Sequence, residues 1–348
     1  MPKDHENILF LQDEPLKPSE APGFAPEAMV RCEECLRANP PTRVSCLYCA
    51  GPLPFDEKLA DLRKPNLQPV ENAALGYNII LIPQPATDLS DVDLKAAASL
   101  LQLSAEDLKR IVDVGAPLPL ARTVTGDDAG LVCRRLKPLG IEALVVSDSE
   151  LAMNESPAVQ MRGAILTKTG FTPKRTLSDD EEIPWQEFNL IVTGRLRTKR
   201  VQSKERKRRR GEHEIVEASE FFADNSVTDF YRSEQPGNLR ILADSFDFSC
   251  LEQKTLVAAD NLRLLTDFIR QMATEAEYDG SYDAMRQLLE LVWPSNQQTD
   301  SLGWRRERPG KYSVAAVTES SNELQFTRYS RLRYFVEIGL RPSGNETL

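Results

Sequence analysis

Histidine is nearly missing from this chain, at two in 348 residues. His5 stands near the N-terminus and His213 beside a basic run, so a histidine-based catalytic triad has almost nothing to draw on. No Gly-rich phosphate loop and no dinucleotide fingerprint occurs. The remaining catalytic material is acidic. Asp244-Ser245-Phe246-Asp247 and Tyr278-Asp279-Gly280-Ser281-Tyr282-Asp283 carry paired carboxylates of the kind a metal-dependent nuclease uses, although acids at turns more often cap. No apolar run approaches ~18 residues, and the first residues, MPKDHENILFLQDEP, are polar and acidic. Neither a membrane span nor a signal peptide is expected.

Cysteine is scarce but organised. Cys32 and Cys35 form one C-x2-C pair and Cys46 and Cys49 a second, with ten residues between the pairs. Two thiolate pairs on turns close a tetrahedral Zn²⁺ shell, and a double pair at this separation predicts one structural zinc. Four thiolates fill that shell, so no position is left for a catalytic water. Cys133 and Cys250 sit in apolar contexts, LVCRRL and FDFSCL, and are expected as buried small hydrophobes. This usage suits a reducing, cytoplasmic location.

The motif Cys-x2-Cys-x3-Asn-x6-Cys-x2-Cys, with Asn39-Pro40-Pro41 in the loop, Arg31 and Arg43 flanking and Gly51 following, resembles bacterial zinc ribbons and the Ran-binding-protein type of zinc finger. In the latter a Trp lies two residues before the first cysteine, where this chain has Val30, and ubiquitin-binding members carry Thr-Phe where it has Leu36-Arg37. Transfer of RNA or ubiquitin binding is therefore not implied. The zinc is expected to act as a staple for a mini-domain too small to bury a core, with a docking surface as its functional use.

The pattern predicts six regions after a disordered tail over 1–27: a zinc ribbon at 28–54, a linker at 55–76, an α/β domain at 77–147, a β-rich domain at 159–276, an Arg/aromatic α+β segment at 277–340 and a tail at 341–348. The fold class is multi-domain α+β.

Tyr77 to Ile82 reads as a buried strand stopped by Pro83. Ser90-x-x-Asp93, Ser104-x-x-Asp107 and Thr125-x-x-Asp128 are near-capping-box signals that open three helices. Leu118 to Thr123 and Ala143 to Val146 complete a β-α-α-β-α-β order. That order, with LSAEDLKRIVDVGAP and DDAGLVCRRLKPLGIEALVV, resembles the C-terminal domain of the bacterial ribosomal stalk protein. The family recruits translation GTPases through a basic first helix. Here that helix is DVDLKAAASLL, with Lys95 its only base, so the resemblance implies the fold and not the factor binding.

Over 159–276 seven short strands are expected: Met161 to Thr167, Phe171 to Arg175, Phe188 to Leu196, Ile215 to Ala218, Val227 to Tyr231, Leu239 to Leu242 and Phe246 to Ser249. A helix over Leu256 to Met272 follows. This order, together with Ile183-Pro184-Trp185, resembles a pleckstrin-homology-like barrel.

Charge is unevenly placed. Net charge is −10, yet Arg195 to Arg210 holds ten bases and one acid, so the rest of the chain carries −19. The run is expected to be an exposed loop between strands, either a solvated hairpin or a salt-sensitive polyanion contact through Arg206, Lys207, Arg208, Arg209 and Arg210. It contains no aromatic residue, so it offers no base stacking of its own. Further along, GWRRERPGKY and QFTRYSRLRYF mix arginine with aromatics, either as a core or as a stacking surface for single-stranded nucleic acid or a protein. The chain thus reads as a non-catalytic zinc-ribbon binding or adaptor protein with a protein or polyanion partner. The alternative is a nuclease-like enzyme with a metal on the Asp pairs.

Overall fold

The computed structural model describes residues 24, 26–43, 46–49, 51, 53–54, 67, 74–84, 89–155, 157–174, 181–207, 213–232, 238–308 and 311–340. The expected tails and the linker fall largely outside these residues, as do Arg208, Arg209 and Arg210. The chain is a mixed α+β protein in two compact units, Met1–Lys64 and Pro65–Leu348.

The first unit is small. Strands β1 (Val30–Arg31) and β2 (Ala38–Asn39) pair antiparallel, and Val30, Cys32, Cys46 and Leu53 form its only apolar cluster among the described residues. So few apolar groups cannot offset the entropy of ordering the segment.

The second unit begins with β3 (Tyr77–Leu81), α1 (Asp91–Leu101), α2 (Ala105–Asp113), β4 (Pro119–Thr123), α3 (Gly126–Leu136) and β5 (Ala143–Ser147), in the expected order. The three predicted caps are present: Ser90, Ser104 and Thr125 accept from the backbone N–H of Asp93, Asp107 and Asp128 at 3.1, 3.0 and 3.2 Å. Each acid accepts the cap hydroxyl, at 2.6 to 2.7 Å, instead of reaching back to the cap N–H as a longer Glu does in a full capping box. Gly115, at φ +64, ends α2 in a conformation that favours glycine. The three strands form an antiparallel sheet in the order β4-β3-β5, and β3 is buried from Asn78 to Leu81.

Next come β6 (Val159–Gln160), β7 (Gly163–Leu166), β8 (Gly170–Lys174), β9 (Ile183–Pro184), β10 (Phe188–Lys207), β11 (His213–Arg232), β12 (Asn238–Leu242), α4 (Ala258–Met272), β13 (Glu277–Asp279), α5 (Tyr282–Leu289), β14 (Asn296–Arg308), β15 (Lys311–Ser321) and α6 (Glu323–Leu340). One small sheet runs β7-β8-β9, and a seven-stranded sheet, curled into a half-barrel, runs β14-β15-β10-β11-β12-β6 with β13 beside β10. Phe171, Trp185, Phe188 and Phe230 build an aromatic core with ring centroids 6.0 to 6.4 Å apart. Trp185 of the Ile-Pro-Trp motif is therefore a core residue. A second core joins helices α1 to α3 to Leu190, Val192, Tyr282, Trp293, Phe326 and Tyr329, so residues 77–147 and the C-terminal helices bury one continuous apolar cluster. Gly194 permits the closest part of that packing, because a Cβ there would sit 2.6 Å from Tyr282 and 2.8 Å from Phe326.

Three expectations for this region are corrected. Ile215 to Ala218 and Val227 to Tyr231 belong to one 20-residue strand, while Phe246 to Ser249 is not a strand but leads into a 3-10 turn at Phe248–Cys250, which Asp247 caps. The basic run is not a loop as far as Lys207. It is the distal half of β10, paired to β11 on one side and, from Thr198 to Arg206, to β15 on the other. Sequence pattern missed this because the half-strand is polar on both sides and shows no period-two alternation.

Candidate metal centre

Each cysteine pair sits on a backbone turn that its own hydrogen bonds close. The Cys32 N–H donates to the Arg37 carbonyl at 3.0 Å and the Leu36 N–H to the Cys32 carbonyl at 2.9 Å, with Leu36 left-handed at φ +60. On the second turn the Cys46 N–H donates to the Gly51 carbonyl at 2.8 Å, and the Tyr48 N–H points to the Cys46 sulfur at 3.4 Å. The sulfurs of Cys32 and Cys49 lie 3.5 Å apart, as do those of Cys35 and Cys46, and all four fall within 4.8 Å of one another. A tetrahedral shell with Zn–S bonds of about 2.3 Å places its sulfurs about 3.8 Å apart. The donor set and spacing fit one metal ion, and an all-thiolate set favours zinc.

Asn39 ties the two turns together. Buried completely, it donates from Nδ2 to the Arg37 carbonyl at 2.9 Å and to the Cys46 sulfur at 3.4 Å, while its Oδ1 accepts from the Leu47 N–H at 2.8 Å. Its place in the motif was visible in the sequence; its role beneath the ligands was not. Such a partner fixes ligand direction and offsets thiolate charge.

The thiols influence one another strongly. Burial opposes ionisation of Cys46, but the N–H groups of Cys49 and Tyr48, with Cys35 and Asn39, bring it down to about 6. The Gly51 backbone favours a Cys49 thiolate, yet desolvation and the other three sulfurs push Cys49 up to about 12. One thiolate thus forms readily and penalises the next, which is the repulsion a divalent cation relieves.

The module exposes three large apolar side chains. Leu36, Leu47 and Tyr48 are all more than half exposed, and the Arg37 guanidinium lies 4.7 Å from the Tyr48 ring centroid.

The carboxylates named for metal chemistry form no such group among the described residues. Asp247 accepts from the Ser249 N–H and hydroxyl, both at 2.9 Å. Asp279 accepts from Ser281 and Tyr329 and lies 2.5 Å from Arg333. Asp283 lies 3.9 Å from Arg195, and both line a cavity of about 280 Å³ that Asp244, Asp247 and Asp279 do not line. Cys133 and Cys250 are half-buried, and burial pushes Cys133 up to about 11 and raises Cys250, which leaves both as thiols near neutral pH.

Cross-strand acids accompany the basic run. Asp224 lies 3.8 Å from Arg195 and 3.9 Å from Arg197, and Glu220 lies 3.1 Å from Lys199. Farther out, Lys204 and Arg206 are in register with Glu217 and Glu214. In the C-terminal segment Tyr282, Trp293, Phe326 and Tyr329 are core residues, as are Arg328 and Arg331, while Trp304, Arg305, Arg306, Arg308 and Tyr312 lie on β14 and β15. No described helix is long and apolar enough to cross a membrane. Compared with protein families, with curated proteins and with solved structures, the chain finds no match in any of the three.

Proposed function

We propose that this chain is a non-catalytic adaptor, in which a zinc-stapled module presents a docking surface to a protein partner and the basic segment of β10 supplies a polyanion contact. The observation that carries this reading is the saturated four-thiolate set beside an exposed apolar trio, Leu36, Leu47 and Tyr48. A metal held by four protein ligands stabilises a fold and offers no open position to a substrate. Exposed apolar side chains on so small a module are retained at a solubility cost that a bound partner removes.

Leu36 gives the cleanest test. At φ +60 a glycine is less strained than leucine, so Leu36→Gly removes the exposed side chain while easing the turn. Capture from lysate, with nuclease added, should retain a protein on the wild type that Leu36→Gly and Tyr48→Ser lose while keeping one zinc. Retention unchanged in both variants overturns the docking surface. The enzymatic alternative is supported instead if the intact protein cleaves nucleic acid with Mg²⁺ or Mn²⁺ and Asp283→Asn abolishes the cleavage.

A further inference from the structure

Three connections of the chain meet at one end of the β4-β3-β5 sheet, where β3 leaves it and β4 and β5 enter. They are the exit of β3 at Ile82 to Gln84, the turn after α2 at Val112 to Gly115, and the turn into β5 at Gly140 to Glu142. The first and third are tied together, since the Ile82 N–H donates to the Glu142 carbonyl at 2.9 Å. Gly115 and Gly140, at φ +64 and +80, make the two turns. A Cβ on Gly140 would stand 3.1 Å from Leu89, whereas one on Gly115 would meet nothing within 4 Å. Gly115 thus borders open space, a cavity of about 350 Å³.

The lining divides by chemistry. Leu81 and Ile141 are buried, and Ile82, Pro83, Leu89 and Val112 are half-buried, so the inner surface is hydrocarbon. Apart from the two glycines, the exposed lining residues are Gln84, Asp113 and Glu142. No lysine, arginine or histidine lines the cavity among the described residues. Gln84 Nε2 donates to the Glu142 carboxylate at 2.7 Å and holds it. Asp113 is the last residue of α2, so the cavity adjoins a helix C-terminus, whose unpaired carbonyls carry partial negative charge. A base in the last turn ordinarily answers that charge. Here the base is Arg110, and it pairs with Asp107 at 3.3 Å instead.

We propose that this cavity binds a small organic cation, an aliphatic amine whose ammonium group meets Asp113, Glu142 and the end of α2 while its hydrocarbon lies against Leu81, Ile82, Val112 and Ile141. The site goes beyond the adaptor reading and does not involve the zinc module. Both carboxylates and the helix end oppose a phosphate or a fatty acid. A neutral apolar molecule would gain from the walls but leave the acidic rim unused. Cavities that hold small ligands begin at about 300 Å³ and are mostly apolar with a few placed polar groups. At about 350 Å³ this one stands at the small end, which suits a short alkylamine and not a nucleotide. Because Asp113 and Glu142 are exposed, a bound ammonium keeps part of its water. The charged head therefore selects the ligand, and the hydrocarbon provides most of the binding.

The full chain is titrated by saturation-transfer NMR at pH 7 with hexylamine, 1-hexanol and hexanoate, which share one hydrocarbon body and differ in the charge of the head. Hexylamine should bind saturably and about five- to thirtyfold more tightly than hexanol, with hexanoate weaker than the alcohol. Asp113→Asn/Glu142→Gln should bring hexylamine down toward the affinity of hexanol and leave hexanol as it was, a pattern that misfolding does not produce. Raising salt from about 50 to about 500 mM should weaken the amine and not the alcohol. Val112→Trp, which fills the cavity, should lose both the amine and the alcohol, with a thermal melt as its check. If that variant melts early, the charge variant, changed only at exposed residues, carries the test. Leu36→Gly should bind hexylamine as wild type does. Hexanol or hexanoate binding as tightly as hexylamine overturns the cation. Hexylamine binding unchanged in the charge variant overturns the site. No saturable binding of hexylamine to the wild type overturns the proposal as a whole. The capture experiment on Leu36 and Tyr48 reads the other unit, so either reading can fail while the other stands.

Discussion

The indole Nε1–H of Trp293 donates to Oδ1 of Asn78 at 2.8 Å, joining buried residues 215 positions apart. Asn78 is otherwise satisfied, donating from Nδ2 to the Val146 carbonyl at 3.1 Å and to Asp148 Oδ1 at 2.9 Å. The α/β segment is therefore fastened to the C-terminal helices by a polar contact inside a shared core. Trp293→Phe should lose about 1 to 3 kcal/mol for the unpaired acceptor, in addition to the packing change. Asn78→Leu also removes the donors to Val146 and Asp148 and is costly alone, but the double substitution should cost less than the sum of the two single ones in a double-mutant cycle read by urea unfolding. Strict additivity of the two substitutions would contradict the contact.

Asp148 is a second fastening. Completely buried, it accepts from the Gly76 N–H at 2.9 Å and from Arg122, and it lies 3.7 Å from Arg328. Burial, and then the Arg122 guanidinium, press Arg328 down to about 10, with Asp148 opposing the shift. Asp148→Asn keeps the shape and removes the anion between two buried cations. A loss of about 3 to 5 kcal/mol is expected, measured as a lower urea midpoint with one transition for the second unit. A change under about 1 kcal/mol would show that the charge there is dispensable.

These fastenings explain which parts of the fold could be read from sequence. Helices α1, α2 and α3 were legible because Ser90, Ser104 and Thr125 act within three residues of themselves. The cysteine cluster was legible because ligand type and spacing are themselves the signal. Asn78 left one trace, a polar residue inside the apolar run YNIILI, but nothing local could name Trp293 as its partner. Helix α5 and strand β14 went unseen, and β10 was cut at Leu196, where the apolar alternation stops and stability passes to register with Asp224, Glu220 and β15. The opposing acids of the basic run are close in sequence, but only the register of β11 places them beside it.

Zinc should bind at one equivalent, since Cys32, Cys35, Cys46 and Cys49 make one closed set. Ligation supplies folding energy on the order of 10 kcal/mol, so chelation should unfold the first unit and leave the urea transition of the second unchanged. Asn39→Ala should lower zinc affinity about 10- to 100-fold, because it removes a donor to the Cys46 sulfur and the acceptor of the Leu47 N–H on the second turn. Competition with a chromophoric chelator measures this. Affinity equal to wild type would reduce Asn39 to a loop residue.

Acid should weaken the second unit partly through Asp279. Burial raises the pKa of this carboxylate, but donation from the Ser281 hydroxyl and N–H at 2.6 and 2.8 Å, the Arg333 guanidinium and the Tyr329 hydroxyl at 2.8 Å bring it below its ordinary value of 3.8. A carboxylate whose folded pKa is depressed adds stability above the unfolded value, near 3.9, and loses it as pH falls through the folded one. Asp279→Asn keeps an acceptor for Ser281 but removes the charge, so it should be less stable than wild type by about 1 to 3 kcal/mol at pH 7. That difference should persist down to about pH 4 and shrink below it. Urea unfolding of both proteins from pH 7 to pH 3 gives the comparison. A gap that stays constant below pH 4 would mean that the charge of Asp279 contributes nothing, and that the loss in the variant comes from geometry alone.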